Sequence, residues 1–307
     1  MEPEPSIRQT GEDALVARLL PLMPSNPSLE TGPGDDCAII RGSGNRQLLL
    51  KTDCVVEGMH FLPGTDPELI GRKALARAVS DIGAMGGTPL HALVTLFVHA
   101  DRPISQVEGI YRGMGRLARQ VGIRIAGGGS IAGGESSGLP ADGLIINVAL
   151  TGEVEEGKAV LRSTARAGDL IAVTGTLGGS FPTGHHLSFM PRVREGGILA
   201  ASGVATSMMD LSDGLGTDLP RLAAASRLGV LFFRIHEELL PVRPGFTAAQ
   251  AVGDGEDYEL LVTFRPGDRE RAAQLAAEHF PKTPLTVIGE MTAETASALP
   301  PGYRHFS

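Results

Sequence analysis

Apolar residues recur along this chain at two periods, and the switches between them outline its elements. The clearest helix is PELIGRKALARAVSDIGAMGG, residues 67–87. Ile70, Ala74, Ala78 and Ile82 form one stripe there, and Leu69, Lys73, Arg77 and Asp81 form a second stripe beside it. Gly86 and Gly87 end the pattern, as glycines past a C-cap do. Residues 11–23 read as a short amphipathic helix, and ISQVEGIYRGMGRLARQVG as a longer one. QLLLKTD, 47–53, reads as a strand delivering Asp53 at its C-terminal end, and HALVTLFVH, IRIA and GLIINVALTGEV read as further strands. Between the last two lies a predicted glycine loop, IAGGGSIAGGES, with five glycines in twelve positions.

A second half follows RSTARAGD. It holds strands LIAVTG, VLFFRI, YELLVTF and TVIGEM, a helix near DLPRLAAASRLG and another over DRERAAQLAAEHF. Helices and strands alternate too irregularly for a doubly wound sheet, so the expectation is α+β. The length, 307 residues, suits two domains, 1–150 and 151–307, with the change of unit near 150–168.

Composition narrows the function more than the fold. The net charge is −8 with no basic tract, and there is no Trp, which argues against a nucleic-acid partner. No run approaches the length of a membrane span, and the acidic MEPEPSIRQTGEDA lacks an apolar signal core, so a cytoplasmic protein is expected. Cys37 and Cys54 form no CxxC pair and read as small apolar residues of a reducing compartment.

The acids sit at the ends of elements. Asp35 and Asp36 follow Gly-Pro-Gly, and Asp53 ends a strand. Asp81 falls in the last turn of a helix, the wrong end for the helix dipole. Asp210 and Asp213 lie in DLSDGLGTDL, and Glu256 and Asp257 in GDGEDYELL. Each pair alone reads as turn or cap chemistry, but together they suggest hard oxygen ligands for Mg²⁺ bound to phosphates. No zinc spacing is present. Gly127-x-Gly129-x-x-Ala132 mimics a dinucleotide fingerprint but does not open a helix. Gly152-x4-Gly157-Lys158-Ala159 lacks the hydroxyl that a P-loop needs for Mg²⁺. Phosphoryl transfer asks for neither an elbow nor a triad, because it runs on positioning and charge neutralisation.

GPGDDCAII, KTDCVVEGMHF, SDIGAMGGTP, the glycine run, LRSTARAGD, DLSDGLGTDL and GEDYELLVTF occur in an order that resembles the thiamine-monophosphate kinases. Those enzymes share a superfamily with aminoimidazole ribonucleotide synthetase and selenophosphate synthetase. The resemblance runs from about residue 11 to the terminal GYRHF. It implies a two-domain α+β fold that dimerises through the N-terminal domain, with ATP-dependent conversion of thiamine monophosphate to thiamine diphosphate. It further implies Mg²⁺ held by Asp36, Thr52, Asp53, Asp81, Asp210 and Asp213, with Asp53, Asp81 and Asp213 catalytic. ATP would meet Tyr111, Gly127, Gly128, Arg162 and Ser212, and His60, Glu256 and Tyr303 would line the acceptor pocket. The site would lie between domains and subunits.

The chain departs from the family pattern at three places. Gly129 stands where the family carries a metal-binding Asp, with Glu135 as the nearest replacement. Lys51 replaces a Ser or Thr, and only FPTGH separates GTLGGS from HLSFMPR, where the family has a longer segment. Two alternatives therefore stand beside kinase activity: a paralogue that binds nucleotide without turnover, and an ATP-using relative with another acceptor.

Overall fold

The computed structural model describes residues 6–10, 12–24, 26–133, 143–226, 232–293, 299–300 and 302. Two sheets organise them. The first runs β1 (Leu29–Thr31), β2 (Ala38–Arg41), β3 (Arg46–Val56), β6 (Leu144–Glu155), β4 (Thr88–His99) and β5 (Arg124–Gly133) in spatial order. Every pairing in it is antiparallel except β4 with β5. The second runs β8 (Ala205–Asp210), β10 (Leu260–Phe264), β7 (Leu170–Thr174), β11 (Leu285–Thr292) and β9 (Phe232–Ile235), antiparallel throughout. β6 runs through position 150 to Glu155, so the change of sheet falls over residues 156–169.

The helices are α1 (Ile7–Thr10), α2 (Glu12–Leu19), α3 (Pro67–Ala84), α4 (Ile104–Val121), α5 (His185–Ser188), α6 (Val193–Ala201), α7 (Leu215–Ala225), α8 (Ala248–Gly253) and α9 (Arg269–His279). α3 begins where the Asp66 side chain accepts the Glu68 N–H at 2.9 Å and Pro67 presets the first turn. α3 and α4 pack together and cover one face of the first sheet. On that face Leu49, Val94, Ile146 and Val148 are fully buried. Among the described residues no helix covers the other face, which leaves Leu50, Leu93 and Ile131 exposed. The second sheet is buried on both sides, by a cluster that includes α7 and α8 residues and by one that includes α6 and α9 residues. α3 also touches α6 and β8, and this contact joins the two units.

Two differences from the sequence reading matter. The described part of the glycine run is not a loop: it continues as strand through Gly133, and the rest of the run lies outside the described residues. Gly128, at φ +154, approaches β4 so closely that a Cβ there would lie 1.7 Å from the Val94 carbonyl oxygen. Gly128 thus serves strand pairing within the sheet, whereas the Cβ positions of Gly127 and Gly129 meet no close atom among the described residues. The second difference is β8, whose ATSMMD gave no alternation to read. It is an unforeseen strand, and it carries Asp210.

Candidate active site

The two units meet at a cleft of about 650 Å³ lined by Asp35, Lys51, Asp53, Arg77, Asp81, Arg162, Asp210, Ser212, Asp213 and Arg221. Strand alternation puts Lys51 and Asp53 of β3 on the same sheet face as the core residues Leu49 and Val55, and Lys51 and Asp53 line the cleft. The last turn of α3 supplies Asp81, the end of β8 supplies Asp210, and the loop before α7 supplies Ser212 and Asp213.

Three of these acids converge. Carboxylate oxygens of Asp36, Asp81 and Asp210 all lie within 4.8 Å of one another, and all three residues are buried. Burial pushes the Asp210 carboxyl up to about 6, with the Asp36 charge adding to the rise. Asp81 is raised well above its usual range by burial, with Asp210, Asp53 and Asp36 adding to the rise and Lys51 opposing it. The cluster is therefore short of positive charge. Lys51 Nζ lies 2.7 Å from Asp81 Oδ1 and supplies one cation. Burial works against the Lys51 charge, but Asp81 and Asp53 more than offset it and hold its pKa above the usual value. Arg162 supplies another, pairing with Asp36 Oδ1 while its backbone N–H donates to Asp35 at 3.0 Å. The second oxygen of Asp36 is buried and has no hydrogen-bond partner among the described residues. An orphaned carboxylate oxygen among three convergent acids, with only oxygen donors, fits a hard divalent cation such as Mg²⁺.

Asp53 and Asp213 are engaged differently. Asp53 Oδ1 accepts the Cys54 N–H at 2.6 Å and Oδ2 accepts Arg77 Nε at 3.1 Å. Asp213 pairs with Arg221, which also reaches the fully buried Asp218. Burial raises Asp218 far above the carboxylate range, with Asp213 adding to it.

A second cavity, about 320 Å³, adjoins the cleft and is lined by Met59, His60, Phe181, Gly255 and Glu256. Arg77, Ser212, Asp213 and Tyr258 line both cavities and form their shared wall. Glu256 and Tyr258 hold φ of +66° and +51°, a conformation that non-glycine residues adopt only under constraint. The constraint is visible at Glu256. The fully buried Lys73 Nζ donates to Glu256 Oε2 at 2.6 Å, and His186 Nδ1 lies 3.1 Å from the same oxygen. Phe181 stacks on His186 with centroids 4.3 Å apart. Burial drives the His60 pKa down to about 4, with the Arg77 charge adding to the fall. The neutral ring accepts the Val56 N–H at Nδ1, 3.0 Å away.

The fold thus brings together Asp36, Asp53, Asp81, Arg162, Asp210, Ser212 and Asp213, with His60 and Glu256 next door. It does not bring in every expected residue. Thr52 faces the opposite side of the sheet, because neighbours on a strand alternate, and its hydroxyl donates to Asn147 at 3.0 Å. Tyr111 is exposed on α4, in a groove with Arg112 and Arg116 that shares no residue with the cleft. Gly127 and Gly128 lie on the edge strand β5, with β6 and β4 between them and β3. Asp53, Val148, Val94 and Gly128 are paired in one row across the sheet. Three strand spacings put about 14 Å between the ends of that row. Gly129 has nothing within 4 Å of its Cβ position and lies on the same distant edge, so within one chain that position is not beside the acids. Glu135 and Tyr303 lie outside the described residues.

Sequence reasoning missed Lys73, Arg77, His186 and Tyr258. The signal for the first two was present: charges at Lys73, Arg77 and Asp81 recur every four residues on a helix that proves almost wholly buried.

Comparison with known proteins identifies the class first. The AIR synthase related protein models match at residues 34–154 for the N-terminal domain and 148–299 for the C-terminal domain. The thiamine-monophosphate kinase of Bacillus subtilis strain 168 is 31% identical, over 95% of this chain and 98% of its own. That of Escherichia coli K12 is 33% identical, over 92% of this chain and 91% of its own. A solved structure described as AaThiL complexed with AMPPCP and TMP superposes with a TM-score of 0.82 at 28% identity, over 98% of this chain and 99% of that one. Within the AIR synthase related proteins, the chain belongs to the thiamine-monophosphate kinase family.

Proposed function

We propose that the cleft phosphorylates thiamine monophosphate with ATP, giving thiamine diphosphate and ADP. One observation carries this reading beyond family membership. A buried acid cluster with an orphaned oxygen shares a wall with a pocket that ends on a carboxylate. The first can hold a nucleotide's phosphate tail through a cation. The second can hold a positively charged heterocycle against Glu256, with Phe181 and Met59 as its apolar sides.

Asp36, Asp81 and Asp210 would hold Mg²⁺, with Asp213 at the rim. When bound there, Mg²⁺ neutralises the triphosphate and polarises the group being transferred. Arg162 orients phosphate oxygens through its fork, one arm of which Asp36 already fixes. Ser212 lies at the shared wall, where acceptor and donor meet. The acceptor's phosphate oxygen uses a lone pair to form the new bond to the γ-phosphorus. The β–γ bridging oxygen keeps the electron pair of the broken bond and leaves on ADP. The nucleophile is already anionic, so no side chain has to remove a proton.

We further propose that two copies associate through the uncovered face of the first sheet. Leu50, Leu93 and Ile131 are exposed there, and among the described residues no helix covers that face. Val148 and Val94 are fully buried between Asp53 and Gly128, so no ligand lies along that row on the covered side. One ATP can meet both the acids and Gly127–Gly128 only if the glycines come from a second copy.

The test is incubation of the purified protein with ATP, Mg²⁺ and thiamine monophosphate, with thiamine diphosphate as the readout. Thiamine diphosphate formation is the expected result. ATP binding without product would instead indicate a paralogue that only binds, and product with another acceptor would reassign the substrate.

A further inference from the structure

The cleft and the acceptor pocket meet at Arg77, and this residue has a role that the reading above leaves open. Its Nε is 3.1 Å from Asp53 Oδ2, and its side chain is 13% exposed. Its Nη1 is buried without a hydrogen-bond partner among the described residues. A guanidinium carries five N–H donors, and burying them unpaired is costly unless a ligand completes them. Both oxygens of Asp53 are already engaged, by the Cys54 N–H and by Arg77. Asp53 therefore differs from Asp36, whose free oxygen awaits a cation. On the Asp53 side the cation is supplied by the protein itself.

We infer that Arg77 binds the phosphate of the acceptor at the seam between the two cavities, with Asp53 as the residue that positions its fork. This deepens the proposed kinase reading, on which it rests for the acceptor's identity. The geometry suits the task. Arg77 lies one helical turn from Asp81 and one turn from Lys73 on α3, and so is fixed by the same helix that anchors both sites. From there it faces the cleft on one side and the Glu256 pocket on the other. A planar fork held at one edge presents its remaining donors in a fixed direction, which suits a phosphate better than a mobile ammonium does. Neutralising the acceptor's dianion also lets it approach an ATP tail of like charge.

The experiment compares the affinities of the purified protein and its variants for thiamine monophosphate and for thiamine, by calorimetry, alongside turnover. The wild type should bind the phosphorylated ligand at least tenfold more tightly than thiamine. Arg77→Gln should lose that preference while keeping its affinity for thiamine, and its kcat should fall by about a hundredfold. Arg77→Lys should recover part of both, because it keeps the charge and loses the fork. Equal weakening of both ligands in Arg77→Gln would make Arg77 a wall residue and overturn the inference. So would unchanged affinity for both, or a wild type that does not distinguish the two ligands. If Arg77→Gln does not fold, Arg77→Lys alone decides, since the preference must still shrink. A wild type that shows the Arg77-dependent preference yet makes no thiamine diphosphate would refute the kinase reading and leave this inference standing.

Discussion

The acid cleft and the glycine edge are parts of one sheet, joined by a single row of paired residues from Asp53 to Gly128, yet they are built on opposite principles. In the cleft, side chains do everything. Asp36, Asp81 and Asp210 are brought together against their mutual repulsion; Lys51 pairs with Asp81 and Arg162 with Asp36, while Arg77 pairs with Asp53 beside them. At the edge the absence of a side chain is what matters at Gly128, because a Cβ there would strike the Val94 carbonyl. The cleft therefore carries electrostatic strain that a ligand can relieve, whereas the edge carries a steric requirement that the chain itself satisfies. This difference predicts which mutations harm function and which harm folding.

Asp210→Asn separates the two most sharply. It removes one ligand of the convergent cluster, so turnover should fall by about 10³-fold, near 4 kcal/mol of transition-state stabilisation. The metal-free protein should not suffer with it. The folded Asp210 carboxyl titrates at about 6, above its unfolded value, so its contribution to stability is present at low pH and is lost as pH rises through 6. At pH 8 the neutral amide should leave the fold more stable, on the order of 2 kcal/mol. Thermal unfolding without metal, read beside the turnover assay, checks both halves. A variant that melts lower yet keeps its activity would make the cluster structural.

Gly128→Ala should do the reverse. Its methyl has no room against β4, so unfolding in urea should lose about 2–4 kcal/mol. Cation binding at the acids in the folded fraction should persist. Gly129→Ala is the control next door: its methyl meets nothing among the described residues, so chain unfolding should stay within about 0.5 kcal/mol. A larger loss at Gly129 that depends on protein concentration would mark contact with a second copy.

The order of elements was legible because α3, α4, β4 and β6 have strong periodicity, and each lies within a few residues of its expected place. The convergence of Asp36, Asp53, Asp81, Asp210 and Asp213 was legible too, since acids at element ends beside glycine have few purely local reasons to recur. Two things were hidden for physical reasons. A glycine run reads as loop because propensity is local, and only the pairing of β5 with β4 shows that the missing side chain of Gly128 makes room for a neighbouring strand. Lys73 and Arg77 read only as members of a stripe at helical spacing, and packing alone shows that Lys73 is buried against Glu256 and His186 of the second unit and that Arg77 lines the cleft. Thr52 was misplaced for a simpler reason: beside Asp53 in sequence means across the sheet from it in space.

The smallest effect concerns His60, at the wall of the acceptor pocket. Its ring accepts the Val56 N–H at Nδ1, a bond that needs the neutral form, and burial together with the Arg77 charge lowers its pKa to about 4. In the unfolded chain the same histidine titrates near 6.5, so between about pH 6.5 and 4 the unfolded state binds more protons than the folded one. Its contribution to stability is therefore whole above 6.5 and is lost as pH falls toward 4. Asp35, Asp210 and Asp257, raised to about 6, 6 and 7, act in the opposite direction over the same range, so the total profile need not show the slope. The difference between wild type and His60→Gln isolates it. That difference, measured by urea unfolding, should be constant from pH 8 to 7 and should move in favour of the variant as pH drops from 6.5 to 4. A difference that is flat across the range would mean that His60 takes up its proton in the folded pocket as readily as in the open chain, and that the seam beside Arg77 is wetter than its burial implies.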